Sequence, residues 1–226
     1  MVDKDKKILG TLTVGQSPRV DLIPEMKQFV GADVEIIEAG ALDGLTLGEV
    51  QRMHPEPGDY MLVTRMADGT QVKIGEKHML PKMQGKIDWL VQQGAQVVAL
   101  VCTGEFPQFE CDRLLIEPQK VLFNTVKSVA QGQRLGVFIP DSEQVKQAKL
   151  RWSSVNGHVF VQPASPYGCP GGKLAAAERL KQAGVQMAVL DCIGYTLGDK
   201  QAVQGILGVP VVLARSVVAR VIAELL

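Results

Sequence analysis

The chain has 226 residues, with lysine plus arginine and aspartate plus glutamate both at 24 and the charges scattered along it. That length buries one large core or two small ones, and the absence of any block of like charge argues against nucleic acid as a partner. No apolar run reaches the roughly 18 residues of a membrane span, and the charged start "MVDKDKKILG" runs into an apolar stretch shorter than a signal peptide's, so the expectation is a soluble cytoplasmic protein with no membrane partner.

Apolar runs of strand length alternate with segments of helical period, the pattern of βα units feeding parallel sheets. The first strand is expected at "KILGTLTV" (7–14), followed by a helix in "PRVDLIPEMKQFV" (18–30) with proline near its start, and a strand at "DVEIIEA" (33–39). Residues 60–75, "YMLVTRMADGTQVKIG", break the alternation: two strand-like runs flank Asp68-Gly69, a favoured two-residue hairpin turn. This antiparallel insertion is a decoration, a flap over a site or a homodimer contact, and the sequence leaves the three open.

Strands follow at "QVVALVC" (96–102) and "RLGVFIP" (134–140), then a helix in "SEQVKQAKLRW" (142–152) opening on a serine cap. The remaining runs are a strand at "HVFVQPA" (158–164), a helix in "GKLAAAERLKQAG" (172–184) stopped by glycine, and strands at "QMAVLDC" (186–192) and "VPVVLA" (209–214). The fold class is α/β, with two small parallel sheets favoured over one. The first lobe is expected from residues 1–115 with 208–226, and the second from 116–207.

An echo at an offset of 90 supports two related halves: Gly94 matches Gly184, Gln96 matches Gln186, Cys102 matches Cys192, Gly104 matches Gly194, and Leu90 lies over Leu180. A second echo pairs "ILGTLTVGQS" with "RLGVFIPDSE", as two halves would give if the first held a longer insertion.

Ligands of open parallel sheets sit beyond the carboxyl ends of the strands, where Cys102 and Cys192 both fall. Facing halves would bring the two thiols to one cleft. A lone cysteine ending a strand is ordinarily core packing, and it is the pair in matched context that marks these two. A thiol, with an unperturbed pKa of about 8.5, is tunable as a base for a carbon acid: one thiolate abstracts the proton and a thiol on the other face returns one.

The backbone amides of Thr103-Gly104 and Ile193-Gly194 are candidates to hold a carboxylate and the enolate-like charge, helped by a helix N-terminus. In "GQSPR" (15–19), Ser17 is expected in cap position at a helix aimed toward an anion, with Arg19 as a carboxylate clamp. Asp191 precedes Cys192, and strand alternation turns it to the other face. An approach to the sulfur would raise the thiol pKa and make Cys192 the acid and Cys102 the base.

Cys111 and Cys169 lack the matched context and are read as packing and loop. No CxxC pair exists, and His54, His78 and His158 are isolated, so reduced thiols and no metal site are expected.

"TVGQSPRVDLIPEM", "CTGEF" and "DCIGYT" together resemble the AroM family, a branch of the aspartate/glutamate/hydantoin racemase superfamily, over almost the whole chain. The resemblance implies two pseudo-symmetric flavodoxin-like lobes, each donating a cysteine, and cofactor-independent chemistry on a small carboxylate or related metabolite. By that likeness Cys102 and Cys192 are catalytic, and Ser17, Thr103 and Thr196 line the carboxylate pocket. Thr103-Gly104 stands where the amino-acid racemases place Asn-Thr, and Tyr195 where glutamate racemases have histidine, which argues against glutamate as substrate. The superfamily also contains single-cysteine decarboxylases and cis–trans isomerases, and a binding protein that has lost turnover fits the altered neighbours of both cysteines.

Overall fold

The computed structural model describes residues 7–130, 132–155 and 157–226. Residues 1–6, most of the charged start read above, lie outside the described residues. Contacts divide the chain into two units, Met1–Pro118 with Ala219–Leu226, and Gln119–Val218.

The first unit runs β1 (Ile8–Thr13), α1 (Ile23–Val30), β2 (Glu35–Gly40), α2 (Leu47–Gln51), β3 (Met61–Arg65), β4 (Gln71–Gly75), α3 (Leu80–Gln92), β5 (Val97–Leu100) and β6 (Leu114–Ile116). Its sheet has the order β2-β1-β5-β6 and is parallel throughout, with Leu9 opposite both Ile36 and Val97. A strand covered on both faces reads as an unbroken apolar run, and "ILGTLT" is buried at every position.

After α4 (Pro118–Val129), the second unit runs β7 (Leu135–Ile139), α5 (Val145–Ser153), β8 (Val159–Pro163), α6 (Pro170–Gln182), β9 (Met187–Leu190), α7 (Leu197–Leu207), β10 (Val211–Leu213) and the start of α8 (Ala214–Leu225). Its sheet, β10-β9-β7-β8, is also parallel, with Val137 opposite Val161 and Val189. Each sheet has its lobe's first strand beside the strand that leads to the cysteine, β1 beside β5 and β7 beside β9, so the two lobes are both flavodoxin-like and the hairpin β3-β4 is the insertion in the first.

The repeat has a physical basis in the glutamines. The Gln96 side chain accepts from the Ile8 amide at 3.2 Å while its own amide donates to the Ile8 carbonyl at 2.9 Å. Gln186 does the same to Arg134, at 3.1 and 2.8 Å. Each glutamine therefore stitches the entry of its lobe's cysteine strand to the first strand. Each lobe closes its own core, around Leu12, Met83, Ile87, Leu90 and Val98 in one and Phe138, Ala176, Leu180, Leu190 and Val203 in the other.

Several local expectations are corrected. β6 has three residues behind an irregular stretch, too short for its pattern to stand out. The hairpin loop holds three residues, Ala67 to Gly69: the Met66 amide donates to the Thr70 carbonyl at 2.9 Å, the Gly69 amide returns to the Met66 carbonyl at 3.0 Å, and Gly69 sits at φ +87°. Ser142 opens a 3-10 turn instead of capping α5, and Asp141 supplies the side-chain acceptor there, for the Glu143 amide. β10 pairs with β9, Val212 opposite Val189, so of the stretch 208–226 expected with the first lobe only 219–226 counts with it. A three-residue strand does not announce its partner.

No helix among the described residues is long and apolar enough to cross a membrane.

Candidate active site

Cys192 follows β9 and is partly exposed, as is Cys102 after β5; all four cysteines are free thiols. Each of these two sulfurs accepts from the amide two residues on: Gly104 N–H to Cys102 Sγ at 3.4 Å, and Gly194 N–H to Cys192 Sγ at 3.3 Å. An amide aimed at sulfur favours the thiolate over the thiol. The glycines are forced by close approach. A Cβ on Gly104 would stand 2.6 Å from Leu62 Cδ2 of β3, and one on Gly194 2.7 Å from the Tyr167 hydroxyl.

Around Cys192 the chain makes a tight turn, with the Tyr195 amide donating to the Cys192 carbonyl at 3.3 Å. Ile193 and Tyr195 are buried and anchor the turn to the core, and the Tyr195 hydroxyl donates to the Ala164 carbonyl at 2.5 Å. Burial, joined by the charges of Cys192, Asp191 and Asp199 and by Tyr167, pushes the Tyr195 phenol well above its ordinary pKa, so it stays a neutral donor.

Thr196 caps α7 with a reciprocal box: its Oγ1 accepts from the Asp199 amide at 3.0 Å, and Asp199 Oδ2 from the Thr196 amide at 3.0 Å. Lys173, buried at the start of α6, holds Asp199 Oδ1 at 2.7 Å and donates to the Pro166 carbonyl at 3.2 Å. Asp191 points to the other face, as alternation requires. Its carboxylate accepts from Trp152 Nε1 at 2.7 Å and is paired with Arg151, all three nearly enclosed.

Around Cys102 the surroundings differ. Thr103 is buried, but residues 101–113 run on as an irregular loop, so the helix N-terminus expected behind both thiols stands behind Cys192 alone. The hairpin takes that place. Leu62 packs on Gly104, the Glu105 amide donates to the Tyr60 hydroxyl at 3.1 Å, and the Gln16 amide donates to the Arg65 carbonyl at 3.1 Å. One strand, β3, thus braces both the loop after β1 and the cysteine loop after β5. Nearby Glu76 has its pKa raised, first by burial and then by the charge of Glu105.

Ser17 and Arg19 are not placed as expected. α1 begins at Ile23 with no side-chain cap, and Ser17 instead gives its amide and hydroxyl to Asp43, at 2.7 and 2.9 Å. Arg19 is buried and does clamp a carboxylate, but it is that of Asp21, bound through Nε and Nη2 at 2.8 Å each, while Nη1 reaches Thr13 at 2.9 Å. Burial works to raise the Asp21 pKa, but Arg19's hydrogen bond and charge, with a smaller share from Arg65, outweigh it and hold the carboxyl below its ordinary value. Asp21 is two residues from Arg19, a pairing the sequence had on offer; Asp43 is twenty-six from Ser17 and gave no local signal.

Two residues that shape the Cys192 turn escape a reading by motif, Lys173 and Arg215. Arg215 is fully buried and donates to the carbonyls of Ile193 at 2.9 Å and Gly194 at 3.0 Å. Its one sequence signal is a cation inside the apolar run "PVVLARSVVA".

A search of curated proteins gives no match to the chain. Among solved structures, a cysteine-to-serine mutant of a Nocardia farcinica maleate cis-trans isomerase, with a covalently bound succinylcysteine intermediate, aligns with a TM-score of 0.63 at 13% identity, covering 96% of this chain and 91% of that one. Allantoin racemase from Klebsiella pneumoniae gives 0.60 at 14% identity, covering 97% and 87%, and an unliganded arylmalonate decarboxylase gives 0.59 at 15%, covering 97% and 92%. At such identities the likeness establishes the fold alone, one this chain shares with an isomerase, a racemase and a decarboxylase. The sequence itself goes further, since the AroM protein family matches from residue 9 to residue 226, and the chain belongs to that family.

Proposed function

We propose that the protein is a cofactor-independent racemase- or isomerase-type enzyme acting at the α-carbon of a small carboxylate, with Cys102 and Cys192 as its acid-base pair. The observation that carries this reading is the matched thiol geometry, one per lobe: a partly exposed sulfur just past a central strand of the sheet, with the glycine amide two residues on donating to it at 3.4 and 3.3 Å.

In this reading one thiolate removes the α-proton, the electron pair delocalises into the carboxylate as an enediolate, and the opposite thiol delivers its proton to the other face. The proton count balances, and the second thiol is left as the thiolate. Backbone amides in the two turns, at Thr103-Gly104 and Ile193-Gly194, serve the carboxylate and the developing charge, those of Gly104 and Gly194 passing from sulfur to substrate as the thiolate takes up its proton, with the start of α7 adding the field of its dipole. Ser17 and Arg19, already engaged by Asp43 and Asp21, support the loop after β1 and do not bind the substrate directly.

A second reading is favoured by the unequal surroundings of the thiols, a helix start behind Cys192 and an irregular loop behind Cys102. It is a single-thiol decarboxylation or cis–trans isomerisation, and the succinylcysteine of the maleate isomerase is an example of a covalent bond to one cysteine in that protein.

The test is incubation in D2O with pooled amino acids, hydroxy acids, substituted malonates and hydantoins, read by mass spectrometry for deuterium at carbon, with Cys102→Ser and Cys192→Ser alongside. Exchange lost in both variants is the expected result. One dead variant and one near normal selects the single-thiol reading, and full exchange in both removes the cysteines from the mechanism. Metabolite binding by thermal shift with no chemistry on any compound would make the protein a sensor.

A further inference from the structure

We infer that Arg215 is a positioning residue that sets the Cys192 turn so that Cys192, not Cys102, is the thiol ionised in the resting protein. The inference deepens the two-thiol reading above and rests on it for its catalytic meaning.

The geometry starts from the peptide group. In a trans peptide the carbonyl and the N–H point in opposite directions, so fixing one aims the other. Arg215 Nε takes the Ile193 carbonyl at 2.9 Å and Nη2 the Gly194 carbonyl at 3.0 Å. The Ile193 carbonyl shares its peptide with the Gly194 N–H, which is turned away from the guanidinium and meets Cys192 Sγ at 3.3 Å. The Gly194 carbonyl shares its peptide with the Tyr195 N–H, which closes the turn on the Cys192 carbonyl at 3.3 Å. One planar fork therefore orients both amides of the turn.

The fork suits the task because a guanidinium keeps its charge and its donors at any accessible pH, so the grip does not change while the thiol titrates. The charged and phenolic groups near Cys192 have partners of their own. Asp191 lies on the opposite face, paired with Arg151 and bonded to Trp152. Asp199 is held by Lys173 and the Thr196 amide. The Tyr195 phenol donates to Ala164, and Tyr167 packs on Gly194.

The first lobe surrounds Cys102 differently. Arg215 stands two residues past β10, an edge strand of its sheet, and the residue two past the edge strand β6 is Pro118, whose side chain has no donor. No helix begins at the Cys102 loop, and that loop carries Glu105, whose charge raises Glu76 beside it. A missing dipole disfavours a thiolate.

The test reads the thiols without turnover. Iodoacetamide alkylation of the intact protein is followed against pH, and each cysteine is quantified by peptide mass spectrometry. Both sulfurs meet an amide, so the difference falls to the helix start and the guanidinium grip, and Cys192 is expected to reach half-maximal rate about one pH unit or more below Cys102. In Arg215→Met the Cys192 midpoint is expected to rise toward that of Cys102 while the Cys102 midpoint stays. Arg215→Lys, which keeps the charge but not the fork, is expected to fall between. Equal midpoints in the unaltered protein, a comparison that needs no variant to fold, would overturn the inference, as would an unmoved Cys192 midpoint in a folded Arg215→Met. Failure of the catalytic reading looks different: no deuterium exchange on any substrate with the Cys192 midpoint still low.

Discussion

Asp191 shows how much can hang on one side chain beside a reactive one. It is the residue before Cys192, and its carboxylate is taken to the far face of the sheet by Trp152 Nε1 at 2.7 Å and by Arg151, with the side chains of both ion-pair partners nearly enclosed. Breaking a buried pair leaves the surviving charge without compensation. Asp191→Ala is therefore expected to destabilise the second lobe by about 3–5 kcal/mol, read as a lowered urea midpoint, because Arg151 is stranded. Asp191→Asn keeps an acceptor for Trp152 and is expected to cost less. An Asp191→Ala protein as stable as the parent would mean that the pair contributes nothing. Residue by residue, the thiols and their glycines were legible because they repeat at a fixed offset, and the outward turn of Asp191 followed from strand alternation. Arg215 and Asp43 were not, since their partners are set by how strands and loops meet in space.

The hairpin is the element whose purpose the sequence left undecided. Its inner residues Leu62, Val72 and Ile74 belong to the core of the first lobe, and β3 braces the loops after β1 and β5. Gly69, at φ +87°, holds the only residue type that enters that loop conformation without strain. Gly69→Ala is expected to cost about 1–2 kcal/mol, the usual penalty for a Cβ in left-handed backbone. Because β3 carries that strain to the Cys102 loop, the alkylation rate of Cys102 is expected to change while that of Cys192 does not; equal effects at both, or none, would separate the hairpin from the site. As elements go, the seven strand-length runs and the hairpin were readable from pattern, the central strands most plainly because they are buried along their whole length. Helix starts were less so. α1 begins five residues past Pro18, and Ser17 and Ser142, both good caps by type, do not cap the helices that follow them.

At the scale of the molecule, the two lobes share a sheet plan but not a chain order, since the first is interrupted: its last pieces are the final turns of α8. Ala219 and Ile222 there are fully buried, and the Arg220 guanidinium lies 4.6 Å from the Phe29 ring of α1. Ile222→Ala is expected to cost about 2–5 kcal/mol, the range for a large-to-small change in a packed core. The loss is expected to appear as faster amide hydrogen exchange in β1, β2 and α1, with β7 and β9 keeping their protection; uniform loss over both lobes would mean that they unfold as one.

That interruption also orders events at the ribosome. The second lobe has all its residues once Val218 has left the exit tunnel, whereas the first, although its strands were made earlier, lacks Ala219–Leu226 until later. Domains generally fold in the order of synthesis. Here the earlier-made lobe waits, with the Phe29 ring still without the Arg220 guanidinium, for a segment that leaves the ribosome only after the whole second lobe has been made. During that interval it is the half of the nascent chain that a chaperone would find open.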